Sequence, residues 1–338
     1  MARVGRTACW MLTAALSACT APGPVAPPGH AQGFGETAFP AVDPLPVPAA
    51  VTLPMVPGLT RVRYQGFDAV QLETPQGRAV VALFGGQLLS YVPHGGQDVL
   101  WLSPRTAHPP SPIRGGVPVL WPYFSRQGQH ADMPAHGLVR TVQWQVISAE
   151  RGADGALSVV MAPPAMPALG LSLRMTLRLG ETLEQALSTT NTGTVPVRFT
   201  QALHTYYQVG DALQVQVRGL RDATYREKAE DFARAYRQRG DWALSRMGGQ
   251  ADRLYTATGG DYVLVDPVMQ RQLHLRTSGS HSLVTWNPGV AAESRSPDIG
   301  TGWRHYVCLE AANAGADVVQ LAPGGQHLLV QRISVRRL

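Results

Sequence analysis

Lysine is nearly absent from this chain: Lys228 is its single lysine, so a lysine Schiff-base mechanism at any other position is excluded. Cysteine is scarce too, and three cysteines in 338 residues do not make a disulfide scaffold. No apolar run reaches the roughly 18 to 20 residues that a spanning helix needs, which excludes a multi-pass membrane protein. Charged residues make up only 15%, while 44% are hydrophobic, a balance that excludes disorder of the whole chain. The net charge of +6 has no clustered source: the longest basic run is Arg336-Arg337, so a nucleic-acid footprint is not expected. Gly-rich phosphate loops, dinucleotide fingerprints, His-Glu-x-x-His, Cys-x-x-Cys and Gly-x-Ser-x-Gly elbows are all missing.

What the chain does contain is turn residues and strands. Its 35 glycines and 27 prolines punctuate short apolar stretches. Leu171, Leu173, Met175, Leu177 and Leu179 alternate with polar residues, the period of a strand with one buried face. Ala79 to Phe84, Gln87 to Val92, and Val195 to Phe199 after the Asn191-Thr192-Gly193 turn read as further strands. Val318 to Leu321, the turn Pro323-Gly324-Gly325 and Leu328 to Val335 read as a closing hairpin. One helix is expected, Glu227 to about Arg239, from its Ala, Glu, Arg and Gln content. No repeat of 20 to 50 residues occurs, which disfavours propellers and solenoids. The expected fold class is all-β: one large, largely antiparallel β-sandwich with few short helices.

The N-terminus reads as a bacterial lipoprotein leader. Arg3 and Arg6 precede the apolar Ala8 to Ala18, and Leu16-Ser17-Ala18-Cys19 places small residues before a cysteine suited to lipidation. Residues 1–18 are expected to be a signal peptide, Cys19 the lipidated residue, and 19–57 a Pro-rich tether that carries the domain 58–338. The envelope, at the periplasmic face of the outer membrane, is the expected location, with the lipid as the sole membrane contact. A misassigned start would leave the protein cytoplasmic. The Pro44-Leu45-Pro46-Val47-Pro48 run also suits a polyproline recognition ligand.

Four segments set polar groups into apolar surroundings: Arg114-Gly115-Gly116, His136-Gly137-Leu138-Val139-Arg140, His204 between Leu203 and Thr205, and Glu310 after Val307-Cys308-Leu309. Taken singly, Arg114 suits a structural salt bridge as well as an oxyanion contact. His204 suits a hydrogen-bonded core position as well as a catalyst, and Glu310 needs a partner or a function to be buried.

In their order, these segments resemble the D-hexose-6-phosphate mutarotase family of aldose-1-epimerase-like proteins. The resemblance runs from Gly66-Phe67 to the C-terminus. It includes Gly85-Gly86-Gln87-Leu88-Leu89-Ser90-Tyr91, Val99-Leu100-Trp101-Leu102-Ser103, Asp252-Arg253-Leu254-Tyr255 and Trp286-Asn287-Pro288-Gly289. It implies a galactose-mutarotase-like β-supersandwich and cofactor-independent interconversion of sugar anomers, with no metal. His204 falls on the family's general acid and Glu310 on its base. Asp252 and His136 fall on sugar contacts, and Arg114 and Arg140 on arginines facing the substrate or its phosphate. Ala135, Ser125 and Glu227 depart from the family's usual residues, and the stretch between Tyr225 and Asp252 is longer. A monomer acting on a hexose or hexose phosphate is expected. An envelope location also suits an unphosphorylated aldose as substrate, or a non-catalytic sugar-binding lipoprotein.

Overall fold

The alternation at Leu171–Leu179 does become a strand, with Leu171, Leu173, Met175, Leu177 and Leu179 all buried. It belongs to a computed structural model that describes residues 38–40, 42 and 53–338. The leader and Cys19 lie outside the described residues. Among these residues two large antiparallel sheets dominate. One has eight strands, in the order Gln216–Arg218, Asp261–Asp266, Arg271–Ser278, Gln326–Arg337, Leu183–Asn191, Leu171–Leu179, Leu157–Ala162, Gln145–Arg151. The other has seven, in the order Tyr236–Arg237, Thr224–Glu227, Ala251–Thr256, Ser282–Asn287, Tyr306–Asn313, Gln201–Gln208, Val119–Leu120. A four-stranded meander, Leu59–Tyr64 to Leu88–Pro93, adds a further layer.

The core lies between the two large sheets. Leu203, Tyr207, Leu283 and Leu309 from the seven-stranded sheet join Leu173, Leu187, Leu273 and Ile333 from the eight-stranded one in a single apolar cluster. Because side chains alternate along a strand, burying Leu203, Thr205 and Tyr207 toward this core sends His204 and Tyr206 to the other face. Contacts with the domain continue upstream of residue 58. Leu53 and Val56 pack on the core, and Phe39 is buried, stacked on Tyr123 at 6.4 Å.

Two expectations fail. The helix expected at Glu227 to Arg239 is a hairpin: Thr224–Glu227 pairs with Tyr236–Arg237 and with Ala251–Thr256, leaving only a 3₁₀ turn at Lys228–Glu230. Helix propensity loses to strand pairing and to the Arg226 guanidinium, which donates to the carbonyls of Phe232 and Ala233 and fixes the loop open. The closing hairpin fails as well. Val319–Leu321 pairs with Val197–Phe199, whereas Gln326–Arg337 pairs with Leu183–Asn191 and Arg271–Ser278. The turn spends its hydrogen bonds elsewhere, because Gly324 N–H donates to Asn191 and Asn191 N–H donates to Gly325. It therefore sends the chain from one sheet to another.

Candidate active site

Register builds the site. His204 lies opposite Glu310 and Tyr206 opposite Cys308 across one strand pair. On the next strand Trp286 lies opposite Cys308, and beyond it Asp252 lies opposite Trp286. Directly opposed residues share a face, so Asp252, Trp286, Cys308 and Tyr206 form one row, with Glu310 and His204 in the row beside it. Glu310 sits inside the strand Tyr306–Asn313 rather than at its end, the place the sequence suggests.

His204 Nε2 is 3.3 Å from Glu310 Oε1, with the Glu310 side chain 2% exposed and the imidazole 13%. The ring stacks on Tyr206 at 4.8 Å and meets Trp286 edge-on at 5.8 Å. Among the described residues, His204 Nδ1 and Glu310 Oε2 are buried without a hydrogen-bond partner. Burial, and then the charge of Asp252, push the Glu310 carboxyl well above its usual range. Burial, and then His136 and Arg114, push His204 well below the usual imidazole range. Both shifts favour an uncharged pair with one proton between carboxyl and imidazole.

The loops at the end of the sheet bring the remaining residues. Gly116, at φ +61°, lets its backbone pass so close to Leu88 that a Cβ would lie 2.2 Å from the Leu88 oxygen, and this fixes the path that presents Arg114. Arg114 Nε donates to Asp298 at 2.7 Å and Nη1 to the Tyr206 hydroxyl at 3.0 Å. The salt bridge expected of Arg114 is therefore present, and it holds the guanidinium beside the ring that stacks on His204. Gly137, at φ +82°, is pressed against Trp121, where a Cβ would lie 2.0 Å from the carbonyl oxygen. His136 itself takes φ +69°. Ser125 N–H donates to His136 Nδ1 at 3.2 Å, which leaves the ring proton on Nε2, and the ring centre lies 6.1 Å from that of His204. Burial, then Arg140, Arg114 and Arg126, push His136 down to about 3, so it is a neutral donor at any working pH.

Arg140 donates to the Ala135 carbonyl at 2.9 Å, so residue 135 serves through its backbone. Ser125, where the family usually has glycine, takes a glycine-like φ of +55°. Glu227 pairs with Arg253 at 2.7 Å. Burial lifts Asp252 to about 6, with Lys228 opposing and Glu227 adding to the shift. Arg114, His136, Arg140, His204, Asp252 and Glu310 are thus linked through contact, strand register or mutual charge at one site. Sequence reasoning missed Asp298, which anchors Arg114, and gave no role to Tyr206 or Trp286. The aromatic residues stood inside matched motifs and could have been found there. Among the described residues no group of three or more His, Cys, Asp or Glu is placed to hold a metal ion.

An antiparallel supersandwich with an imidazole–carboxyl pair on one sheet face defines the class, and comparison with known proteins agrees. The Aldose 1-epimerase family profile matches residues 68–334. An Escherichia coli K12 relative, "Putative glucose-6-phosphate 1-epimerase", is 32% identical over 265 residues, covering 76% of this chain and 87% of its own. A Cenchrus ciliaris relative of the same name is 27% identical, covering 83% and 86%. A solved Salmonella typhimurium structure, described as "a putative mutarotase", superposes with a TM-score of 0.74 at 27% identity, covering 86% and 97%. The chain belongs to the aldose 1-epimerase family.

Proposed function

We propose that this protein interconverts the α and β anomers of a hexose 6-phosphate. One observation carries the reading: two buried proton-exchanging groups lie 3.3 Å apart, and each keeps a second buried polar atom without a partner among the described residues. Those open valences can take up a sugar's hydroxyl proton and ring oxygen. One proton transfer from the Glu310 carboxyl to His204 gives a carboxylate and an imidazolium. Glu310 then takes the proton of the anomeric hydroxyl while His204 gives one to the ring oxygen, and the C1–O5 bond breaks to the open aldehyde. After C1 rotates, the reverse transfers reclose the ring on its other face and restore both groups. Such positioned groups each contribute about 10²- to 10⁴-fold.

The phosphate enters through Arg114 and Arg140. Both guanidiniums depress His204, so a phosphate dianion paired with them would relieve that field and favour the imidazolium that the ring oxygen needs. His136 Nε2–H would donate to the sugar, and Asp252 would accept from its hydroxyls. No cofactor has a part in this chemistry. A second reading, an unphosphorylated aldose, draws on the Arg114–Asp298 pair, which already neutralises one of the two cations.

NMR of freshly dissolved α-glucose 6-phosphate and α-glucose tests both. The proposal expects rapid anomer exchange, faster for the phosphate and lost in Glu310→Gln. Equal rates select the free aldose, and no acceleration of either sugar overturns the enzymatic reading. The expected location belongs to the same proposal: Cys19 lipidation would hold the enzyme at the envelope, and palmitate labelling should vanish in Cys19→Ser.

A further inference from the structure

The eight-stranded sheet has an outer face, turned away from the core and so from the seven-stranded sheet that carries His204 and Glu310. On it lies a concavity of about 400 Å³ lined by Arg218, His274, Arg276, Arg332, Ser334 and Arg336, among others. The strand pattern makes this arrangement unavoidable. Leu273, Leu275 and Ile333 point into the core, so Arg332, Ser334 and Arg336 on one strand, and His274 and Arg276 on its neighbour, must point out. Register places Arg276 directly opposite Arg332 and His274 opposite Ser334. Like charges directly opposed across a strand pair are destabilising.

Two of the four guanidiniums are compensated. Arg276 bonds Asp261 at 2.6 Å and Arg332 bonds Glu184. Arg218 and Arg336 have no ion-pair or hydrogen-bond partner among the described residues. His274 Nε2 is buried and likewise unpartnered, and this imidazole is pushed below its usual range by burial, then by Arg336 and Arg276. Register sets Arg218, Val263, His274 and Ser334 in one row across four strands, with Arg336 two residues beyond Ser334, so the Arg218 and Arg336 backbones flank His274 at about 16 Å, a span that two arginine side chains can close. The concavity therefore offers two uncommitted guanidiniums and an uncommitted imidazole nitrogen around one point. That donor set matches the three or four oxygens of a phosphate group, which arginine engages through paired hydrogen bonds.

We propose that this outer-face concavity is a second anion site, separate from the catalytic cleft, which takes the phosphate group of a soluble phosphate compound or of an anionic lipid headgroup. Arg218 and Arg336 grip the phosphate oxygens and His274 completes the set.

The test uses the full-length protein and its Arg218→Ser/Arg336→Ser double variant, with inorganic phosphate in calorimetric titrations and with phosphatidylcholine vesicles with or without phosphatidylglycerol in sedimentation. Both proteins share the same N-terminus, so any anchoring there cancels in the comparison. The proposal expects the double variant to lose about tenfold or more in affinity for at least one of the two probes, the loss of one charge-assisted hydrogen bond or more, with anomer exchange unchanged. A loss confined to inorganic phosphate assigns the soluble source, and a loss confined to phosphatidylglycerol vesicles assigns the lipid. Ser334→Glu, which places a carboxylate between the guanidiniums, should abolish the same binding and gives an independent variant. Binding of both probes that is absent in the parent protein, or equal in parent and variants, overturns the proposal.

Discussion

On the core side of the strand Gln201–Gln208, the Thr205 hydroxyl donates to Gln331 at 2.8 Å. Gln331 donates to Gln185 at 3.0 Å, and Gln185 reaches the Met175 sulfur at 3.1 Å. One residue away, on the cleft side, His204 and Glu310 are also buried, yet Nδ1 and Oε2 have no partner among the described residues. Thr205 and His204, neighbours on one strand, thus treat their polar atoms in opposite ways. Toward the core Thr205, Gln331 and Gln185 form a chain that pins two sheets in register, although the Tyr207 hydroxyl on the same face has no partner among the described residues. Around His204 and Glu310 the valences stay open, which costs stability and, under the proposed function, leaves them for a substrate. Mutations should separate these uses: loss of rate without loss of stability on one face, and the converse on the other.

The largest effect belongs to the cleft pair. Glu310→Gln should lower the anomer-exchange rate by about 10²- to 10⁴-fold, and His204→Asn by a comparable factor. Thermal unfolding at neutral pH should show no loss of stability in Glu310→Gln, because burial already disfavours the carboxylate that the amide replaces. A marked drop in melting temperature would recast the pair as structural. The matching change on the core face is Gln331→Leu. It strands the Thr205 hydroxyl and the Gln185 carbonyl in the interior and should cost about 2 to 4 kcal/mol in urea unfolding, with exchange per folded molecule unchanged.

The same two faces differ in how far the sequence discloses them. Period-two patterning located the strand Leu171–Leu179 because one face is uniformly apolar, and this is a local signal. The strand Gln201–Gln208 is buried on both sides, so His204 and Thr205 look alike in sequence, and alternation cannot say which one faces a cleft. The pairing of His204 with Glu310 depends on a register between distant segments, and it became legible only through the ordered family motifs. Asp298 lay beyond that reach, since an aspartate in a Ser-Pro loop carries no periodicity and its partner Arg114 is distant in sequence, in the loop before Val119–Leu120. Local composition misled once more at Glu227 to Arg239, where helix-favouring residues form a hairpin under tertiary pairing.

Asp252 sharpens the contrast through pH. Its pKa rises to about 6 in the fold from an ordinary 3.8, so the folded protein binds this proton more tightly than the unfolded chain does. The group's stabilising contribution is full below pH 3.8 and is lost as pH rises through 6. Asp252→Asn should therefore stabilise the protein by about 1 to 2 kcal/mol at pH 7 to 8, with the gain disappearing near pH 4. If ionised Asp252 accepts sugar hydroxyls, kcat/KM in the parent protein should fall as pH drops below about 6. An Asp252→Asn protein less stable than its parent at pH 8 would show that burial is compensated by contacts not yet identified.

The smallest effect tests whether the cleft's positioning can be weakened without touching its chemistry. Asp298 orients Arg114 through a 2.7 Å contact in which both side chains are one-third exposed, 33% each. Solvent therefore screens the pair, and its loss is worth about 0.5 to 1 kcal/mol. Asp298→Asn should accordingly raise KM for a hexose 6-phosphate about two- to fivefold, leave kcat within error, and leave KM for the free hexose unchanged, because the guanidinium is misplaced rather than removed. Asp298→Glu should recover part of the loss. A parallel rise in both KM values would assign Asp298 to the general architecture of the loop, whereas a fall in kcat would mean that Arg114 acts on the reacting pair through Tyr206, its other hydrogen-bond partner and the ring stacked on His204.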